Sequence, residues 1–231
     1  MIDLFPAGFE EREEGSSLEL AAYTERVDAA ELLEPLGPVL ELEVVAGWED
    51  EWRRFHRPVR VGPLWIGPSW EAPDAGAASV VVDPGRAFGT GSHATTRLCL
   101  ELLLALEPAG IVDVGCGSGV IAVAAGKLGF APVIALDDDA AAVEAARRNA
   151  AANGVAVDVR RADALVDPLP DVEVAVANIA RAPVERVAER FGGSLVVGSG
   201  YLEPERPEPR GWTVADRRLA EGWAADLLVR R

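Results

Sequence analysis

The stretch Ile111-Val112-Asp113-Val114-Gly115-Cys116-Gly117-Ser118-Gly119-Val120-Ile121-Ala122 decides the fold of this chain. Ile111–Val114 reads as a short buried strand, because three of its four residues are β-branched and apolar. The Ala-rich run from Val120 to Leu128 reads as a helix. Between them stand three glycines at alternate positions. Glycine there lets the backbone turn sharply and approach a ligand closely. The dinucleotide fingerprint wants its third glycine three positions after the second. Here Gly119 falls two after Gly117, which makes the motif Asp-x-Gly-x-Gly-x-Gly. A tight turn with no ligand and a nicotinamide-dinucleotide site are the competing readings.

Outward from this loop, strands and helices alternate. The strand Val133–Leu136 ends at Asp137, 22 residues after Gly115. A carboxylate at that place accepts hydrogen bonds from ribose hydroxyls. Asp137-Asp138-Asp139 also fits a solvated run before a helix, but the strand end singles out Asp137. A helix is expected over Ala140–Asn153, closed by Gly154, and another over Arg181–Phe191. Strands are expected at Val80–Val82, Val155–Val159, Val172–Ala177 and Leu195–Val197. A helix over Thr95–Leu106 has Thr95 as its candidate cap. Asp163 follows the third strand of the core and Asn178 the fourth, at the carboxyl ends where open α/β sheets bind ligands. Asp163 reads equally as a ligand contact and as a loop or capping carboxylate. Cys116 reads as a small packing residue, not a nucleophile. Short apolar strands separated by helices imply a doubly wound, mostly parallel sheet with both faces covered. Trp212–Leu219 and Trp223–Val229 flank Ala-Glu-Gly and read as a closing antiparallel hairpin.

The composition of the 231 residues excludes several classes. Hydrophobic residues make up 49% and charged residues 26%, which is an ordinary globular balance and not a disordered one. No apolar run approaches the ~20 residues of a membrane helix, and the acidic N-terminus is unlike a signal peptide. Two cysteines, Cys99 and Cys116, make neither a disulfide framework nor a zinc cluster, so no metal site is expected. The expectation is a soluble, cytoplasmic protein. A net charge of −16 argues against a nucleic-acid backbone as the main partner. Residues 1–51 hold 15 acidic and 2 basic side chains, whereas the remaining 180 residues are nearly balanced. That step divides the chain into a small acidic α+β unit over 1–51, a linker over 52–78 and a catalytic domain over 79–231. The small unit combines strand-like alternation at 18–22 and 39–45 with a helix from Asp28 to Leu36. Trp48 to Phe55 reads as helical, with Trp48 and Trp52 packing the linker. The linker carries four prolines and a short strand at Leu64–Ile66.

Residues 83–96 read Asp-Pro-Gly-Arg-Ala-Phe-Gly-Thr-Gly-Ser-His-Ala-Thr-Thr. Together with Asp-x-Gly-x-Gly-x-Gly and Asp137, they resemble the class I S-adenosylmethionine-dependent methyltransferases. Within these, Phe88-Gly89-Thr90-Gly91, His93 and Thr95-Thr96 closely resemble the ribosomal protein L11 methyltransferases of the PrmA type. Trp48-x-x-x-Trp52, Leu64-Trp65-Ile66-x-Pro68-Ser69-Trp70 and Ala177-Asn178-Ile179 agree with that family. The resemblance spans about residues 48–200. It implies a seven-stranded Rossmann-like sheet behind a small N-terminal recognition domain. It also implies S-adenosylmethionine as cofactor and N-methylation of lysine or N-terminal amines on ribosomal protein L11, a basic partner.

Carried over by residue, it implies cofactor contacts from Thr96, Gly115, Asp137 and Asn178, with Gly117 in the same loop and Asp163 beside it. Asn178 is the candidate catalytic residue. Phe88 and Thr90 belong to a candidate cover over the cofactor. His93 is a candidate base or a structural residue, and Thr96 also reads as a capping hydroxyl. The Asn-Pro-Pro-Tyr signature of glutamine and adenine methyltransferases is absent, since 178–181 read Asn-Ile-Ala-Arg. The family's first strand and helix have no counterpart, so the recognition domain is read as shortened. A related methyltransferase with another acceptor, and a non-catalytic binding module whose acidic segment docks a basic partner, are the alternatives. The acidic segment would steer a basic protein inward or simply keep the chain soluble.

Overall fold

The computed structural model describes residues 10–14, 17–21, 57–82 and 91–231. The helix after Asp28, the strand at 39–45, the helical stretch at 48–55 and the segment holding Phe88 and Thr90 lie outside the described residues. The chain divides into two compact units, Met1–Trp52 and Arg53–Arg231. In the first, β1 (Glu10–Glu14) pairs antiparallel with β2 (Ser17–Ala21), from Glu10 against Ala21 to Glu14 against Ser17.

The second unit is built on seven strands: β6 (Ile111–Val114), β7 (Val133–Asp137), β8 (Asp158–Arg161), β9 (Val174–Asn178), β10 (Leu195–Leu202), β11 (Trp212–Ala220) and β12 (Trp223–Arg230). Across the sheet they run β11-β12-β10-β9-β6-β7-β8. From β8 to β10 all neighbours are parallel, and β12 is antiparallel to both β10 and β11. The chain lays down β6, β7 and β8 in one direction, then returns to the other side of β6 with β9. That reversal is the topological switch point, where open α/β sheets form their ligand crevice. The doubly wound sheet with its closing hairpin is therefore as the sequence leads one to expect.

Burial explains the sequence pattern of each strand. Val174, Val176 and Ile111 face one core cluster; Ala175, Ala177, Val112 and Val114 face the other. A central strand buried on both faces is apolar at every position. At the sheet edge, β8 buries only Val159. Three helices cover the first face: α1 (Ala94–Leu103), α2 (Val120–Lys127) and α3 (Ala140–Ala152). The second face carries α4 (Arg181–Arg190), which inserts Val184, Val187 and Ala188. Among the described residues no other helix lies there; Leu165 and Leu169 from the loop before β9 help to cover it.

Besides β8, which was expected over Val155–Val159 and forms at Asp158–Arg161 in register with β7, two elements differ from expectation. Residues 58–78, expected as a stiff connection with one short strand at Leu64–Ile66, combine with the strand expected at Val80–Val82 into a three-stranded sheet. In it β4 (Leu64–Gly67) is central, antiparallel to β3 (Val59–Val61) and parallel to β5 (Ala78–Val81). The prolines fall at its turns and flanks, so they do not interrupt the ladders. Leu64, Ile66 and Val80 join the first core cluster. The side chain of Asn153, at the end of α3, bonds the backbone N–H and C=O of Val81 at 2.8 and 2.7 Å, as a strand neighbour would. The second difference is β10, which runs five residues past the expected Val197 because β12 pairs along its whole length.

Candidate active site

Each glycine of the loop after β6 has a positive φ: +67° at Gly115, +53° at Gly117 and +77° at Gly119. Their backbone region is costly for any residue with a Cβ. Space excludes a side chain as well. A Cβ on Gly115 would lie 2.6 Å from Ile179 Cγ2, across the switch point, and one on Gly119 would lie 2.9 Å from Ala146 Cβ on α3. The first glycine thus lets the β6 and β9 loops meet, and the third lets α2 pack on α3. Gly115 N–H and Cys116 N–H both donate to Leu136 O, at 2.9 and 3.0 Å, so the loop stays attached to β7 beyond the last strand pair.

Asp137 completes this arrangement. Its Oδ2 accepts Gly117 N–H at 2.9 Å and its Oδ1 accepts Asp139 N–H at 3.0 Å. Each carboxylate oxygen has a second lone pair to offer. The three aspartates divide their work: Asp139 caps α3 through Ala141 N–H at 2.9 Å, and Asp138 gives its carbonyl to Arg161 Nε. Asp163 starts a turn, with Oδ1 accepting Leu165 N–H at 2.9 Å and its own N–H bonded to Asp167 Oδ2. Its neighbour Ala162 donates to Asp137 O, so Asp163 lies beside the β7 end while serving the turn.

Across the switch point, Asn178 ends β9. Its Nδ2 donates to Thr96 Oγ1 at 3.4 Å, which leaves Oδ1 without a partner among the described residues. Thr96 stands in the first turn of α1 and is buried. The cap of that helix is His93, not Thr95: His93 Nδ1 accepts Thr95 N–H and lies 2.8 Å from Thr95 Oγ1. The imidazole reaches two residues forward because the backbone at His93 is extended. Its ring meets Trp223 edge-on at 5.0 Å. Beside it, Arg97 pairs with Glu221 at 2.5 Å, so the hairpin tip grips the start of α1. Sequence reasoning quoted these hairpin residues without assigning them to the site; one long-range contact of this kind leaves no local signal.

Asp113 was also passed over. It is buried on β6 under α2 and accepts Ala122 N–H at 3.0 Å. Burial pushes its carboxyl up to about 7; the Asp137 charge adds to this and the Ala122 bond opposes it. The available signal was a carboxylate within Ile-Val-Asp-Val, a run otherwise wholly apolar. Both cysteines are buried and free, and burial raises both thiols far above their ordinary range, so Cys116 is no nucleophile.

The strand order, the acidic glycine loop and a polar side chain at the end of β9 define a Rossmann-like methyltransferase fold. The ribosomal protein L11 methyltransferase (PrmA) family model matches residues 16–203, and the chain belongs to that family. It is 46% identical over 172 residues to the ribosomal protein L11 methyltransferase of Aeromonas hydrophila, covering 70% of this chain and 59% of that protein. It is 39% identical over 218 residues to that of Pseudomonas putida, covering 87% of this chain and 73% of the relative. A crystal structure of ribosomal protein L11 methylase from Lactobacillus delbrueckii subsp. bulgaricus superposes with a TM-score of 0.68 at 27% identity. That match covers 76% of this chain and all of the other. The chain thus spans 59% of the length of the Aeromonas hydrophila relative, less than two thirds.

The fold implies S-adenosylmethionine, and the residues present fit it. The loop backbone carries no side chains at Gly115, Gly117 and Gly119, Asp137 has acceptor capacity for two hydroxyls, and Asn178 and Thr96 are polar groups on the opposite lip.

Proposed function

We propose that this protein is an S-adenosylmethionine-dependent N-methyltransferase acting on lysine ε-amines or the N-terminal amine of ribosomal protein L11. Asn178 carries the reading. Its amide nitrogen donates to Thr96 Oγ1 at 3.4 Å, and its Oδ1, with no partner among the described residues, is left to accept from an acceptor amine.

When bound, the cofactor supplies a methyl group already activated by its sulfonium. The chain's task is therefore alignment and exclusion of water more than acid–base chemistry. Gly115 and Gly117 admit the cofactor against the backbone, Asp137 holds its ribose, and Thr96 meets the methionine end. An amine must be neutral to attack, and its ordinary pKa of ~10.4 keeps it protonated in water. Desolvation lowers that value. Asn178 Oδ1 accepts an N–H of the neutral amine and aims its lone pair at the methyl group. The amine's proton leaves to solvent before the attack. Asp163 serves as a contact beside the ribose, and Phe88 and Thr90 as parts of a cover. The acidic unit over 1–51 receives the basic substrate, and 79–231 does the chemistry. The setting is the cytoplasm, with no nucleic acid or membrane partner; among the described residues no helix is long and apolar enough to cross a membrane.

The second reading is a related methyltransferase with a different protein or small-molecule acceptor. A non-catalytic S-adenosylmethionine-binding module is the third reading. Incubation with labelled S-adenosylmethionine and isolated ribosomal proteins, followed by mass mapping, separates them. Label on amines of L11 supports the first reading. Label on another acceptor supports the second, and binding without transfer the third.

A further inference from the structure

We propose that Arg217, Asp226 and Tyr201 form a positioning network for the segment Asn178–Arg181, resting on the methyl-transfer reading above. The three residues lie on the adjacent strands β11, β12 and β10. Asp226 is wholly buried and Tyr201 nearly so. Tyr201 Oη donates to Asp226 Oδ2 at 2.9 Å, with Gly198 O also 2.9 Å away. Arg217 Nη1 donates to both carboxylate oxygens of Asp226, at 3.1 and 2.8 Å. Its Nη2 donates to Glu203 O and Glu205 O, at 2.7 and 2.8 Å. A buried ion pair is weak support for stability, since apolar residues of similar volume often serve as well or better. What a charged network with directed bonds does supply is a fixed register.

Two routes lead from this network to Asn178. The first is a bulge. Register between β10 and β12 shifts between Ser199 and Tyr201, around Gly200 at φ +93°. A Cβ on Gly200 would lie 2.0 Å from Ile179 O, so the bulge brings the β10 backbone directly against the residue after Asn178. Ser199 pairs with Asn178 and its carbonyl accepts Ile179 N–H at 3.1 Å. Tyr201, immediately past the bulge, is the residue that the Asp226 carboxylate holds. The second route is the turn after β10. Arg217 grips the Glu205 carbonyl, Glu205 Oε2 accepts Leu202 N–H at 2.8 Å, and Glu205 Oε1 lies 3.5 Å from Arg181 Nε. Arg181 begins α4, three residues after Asn178. The network therefore reaches the segment at both ends, closely at Ile179 through the bulge and more loosely at Arg181, which also pairs with Glu185 at 2.7 Å.

The test uses the full chain with Tyr201→Phe, Arg217→Lys and the apolar pair Arg217→Met/Asp226→Leu. Lysine keeps the charge but cannot serve Asp226 and two carbonyls together. Expected is an acceleration of about tenfold in amide hydrogen exchange at Ile179, with Val112 on β6 within about twofold of the parent. Turnover at saturating cofactor should fall about tenfold or more while cofactor affinity stays within about threefold. The apolar pair should keep the melting temperature and still lose Ile179 protection and turnover. If it retains all three, or if Tyr201→Phe leaves Ile179 exchange unchanged, the network is structural only and the proposal is overturned. If the parent chain itself transfers no methyl group, the functional reading fails, while exchange at Ile179 still decides the positioning claim.

Discussion

On the β6–β7 side of the switch point, the glycine loop is tied to Asp137 by a bond spanning 20 residues, to β7 through Leu136 O, and to α3 by Asn149 Nδ2 donating to Ser118 O across 31 residues. On the β9 side, Asn178 meets Thr96 across 82 residues, and the segment after it leans on a bulge fixed from as far away as Asp226. The first side is almost complete once the contiguous segment from β6 through α3 has formed. The second exists only when α1, β10 and the closing hairpin are all in place. Cofactor binding and acceptor alignment should therefore be separable by mutation.

The largest effect should come from Asp137→Ala. It removes the carboxylate that accepts Gly117 N–H and that we propose holds the ribose, so S-adenosylmethionine affinity should fall by about 100-fold or more in calorimetry, since a charge-assisted bond is worth several times RT. Unchanged affinity would mean that the cofactor does not use this side. Next is Asn178→Ala, expected to lower turnover by about 100-fold with cofactor affinity within about threefold. Thr96→Val should give a smaller loss of turnover, because it frees the Asn178 amide without removing it, together with a weaker cofactor affinity, because the proposed contact at the methionine end goes with the hydroxyl. Loss of affinity in place of turnover would erase the contrast between the two sides.

Asp113 tests what lies beneath the first side. Its folded-state carboxyl titrates near 7 against an ordinary 3.8, so the folded protein holds this proton where the unfolded chain has released it. Its contribution to stability consequently declines as pH rises from about 4 to about 7, and is level above that. Asp113→Asn keeps an acceptor for Ala122 N–H and abolishes the charge. Relative to the parent, the variant should gain on the order of 2–4 kcal/mol in denaturant unfolding between pH 5 and pH 8. A constant difference across that range would refute the assignment. The smallest effect should come from Glu221→Ala. Its partnership with Arg97 is largely exposed on the glutamate side, so ~1 kcal/mol or less is at stake. His93→Ala removes a helix cap and should cost about 1 kcal/mol in thermal unfolding. A larger drop in turnover than in stability for either would show that the hairpin tip aligns α1 as well as anchoring it.

The same division governs what could be read from the sequence. Ile111–Val114, the glycine triplet, Asp137 and the limits of α2 and α3 were legible because each follows from neighbours in the chain: apolar runs, alternate glycines, a closing glycine at 154. The extent of β10 was not, since Gly198-Ser199-Gly200 has little strand propensity and is extended by its pairing with β9 and β12. Of the three-stranded sheet at 59–81, strands near 64–66 and 80–82 were legible, but β3 and the pairing were not, because prolines signal turns without revealing what the turns join. Thr95 was the expected cap of α1, yet an extended backbone at His93 gave that role to the imidazole. Arg217, Asp226 and Tyr201 carry no motif; their meaning lies in strand adjacency alone.

The order β11-β12-β10 has a consequence for how the molecule is made. β11 emerges before β12 but has no place in the sheet without it, because β12 lies between β11 and the rest. During synthesis β10 therefore presents an open edge, with Ser199 and Tyr201 unpaired on that side, until residues 223–230 have left the ribosome. Such an edge invites pairing with another chain. A nascent protein of this design can hold its nucleotide-side loop early, but the β10 edge beside Asn178 is covered only when β12 inserts.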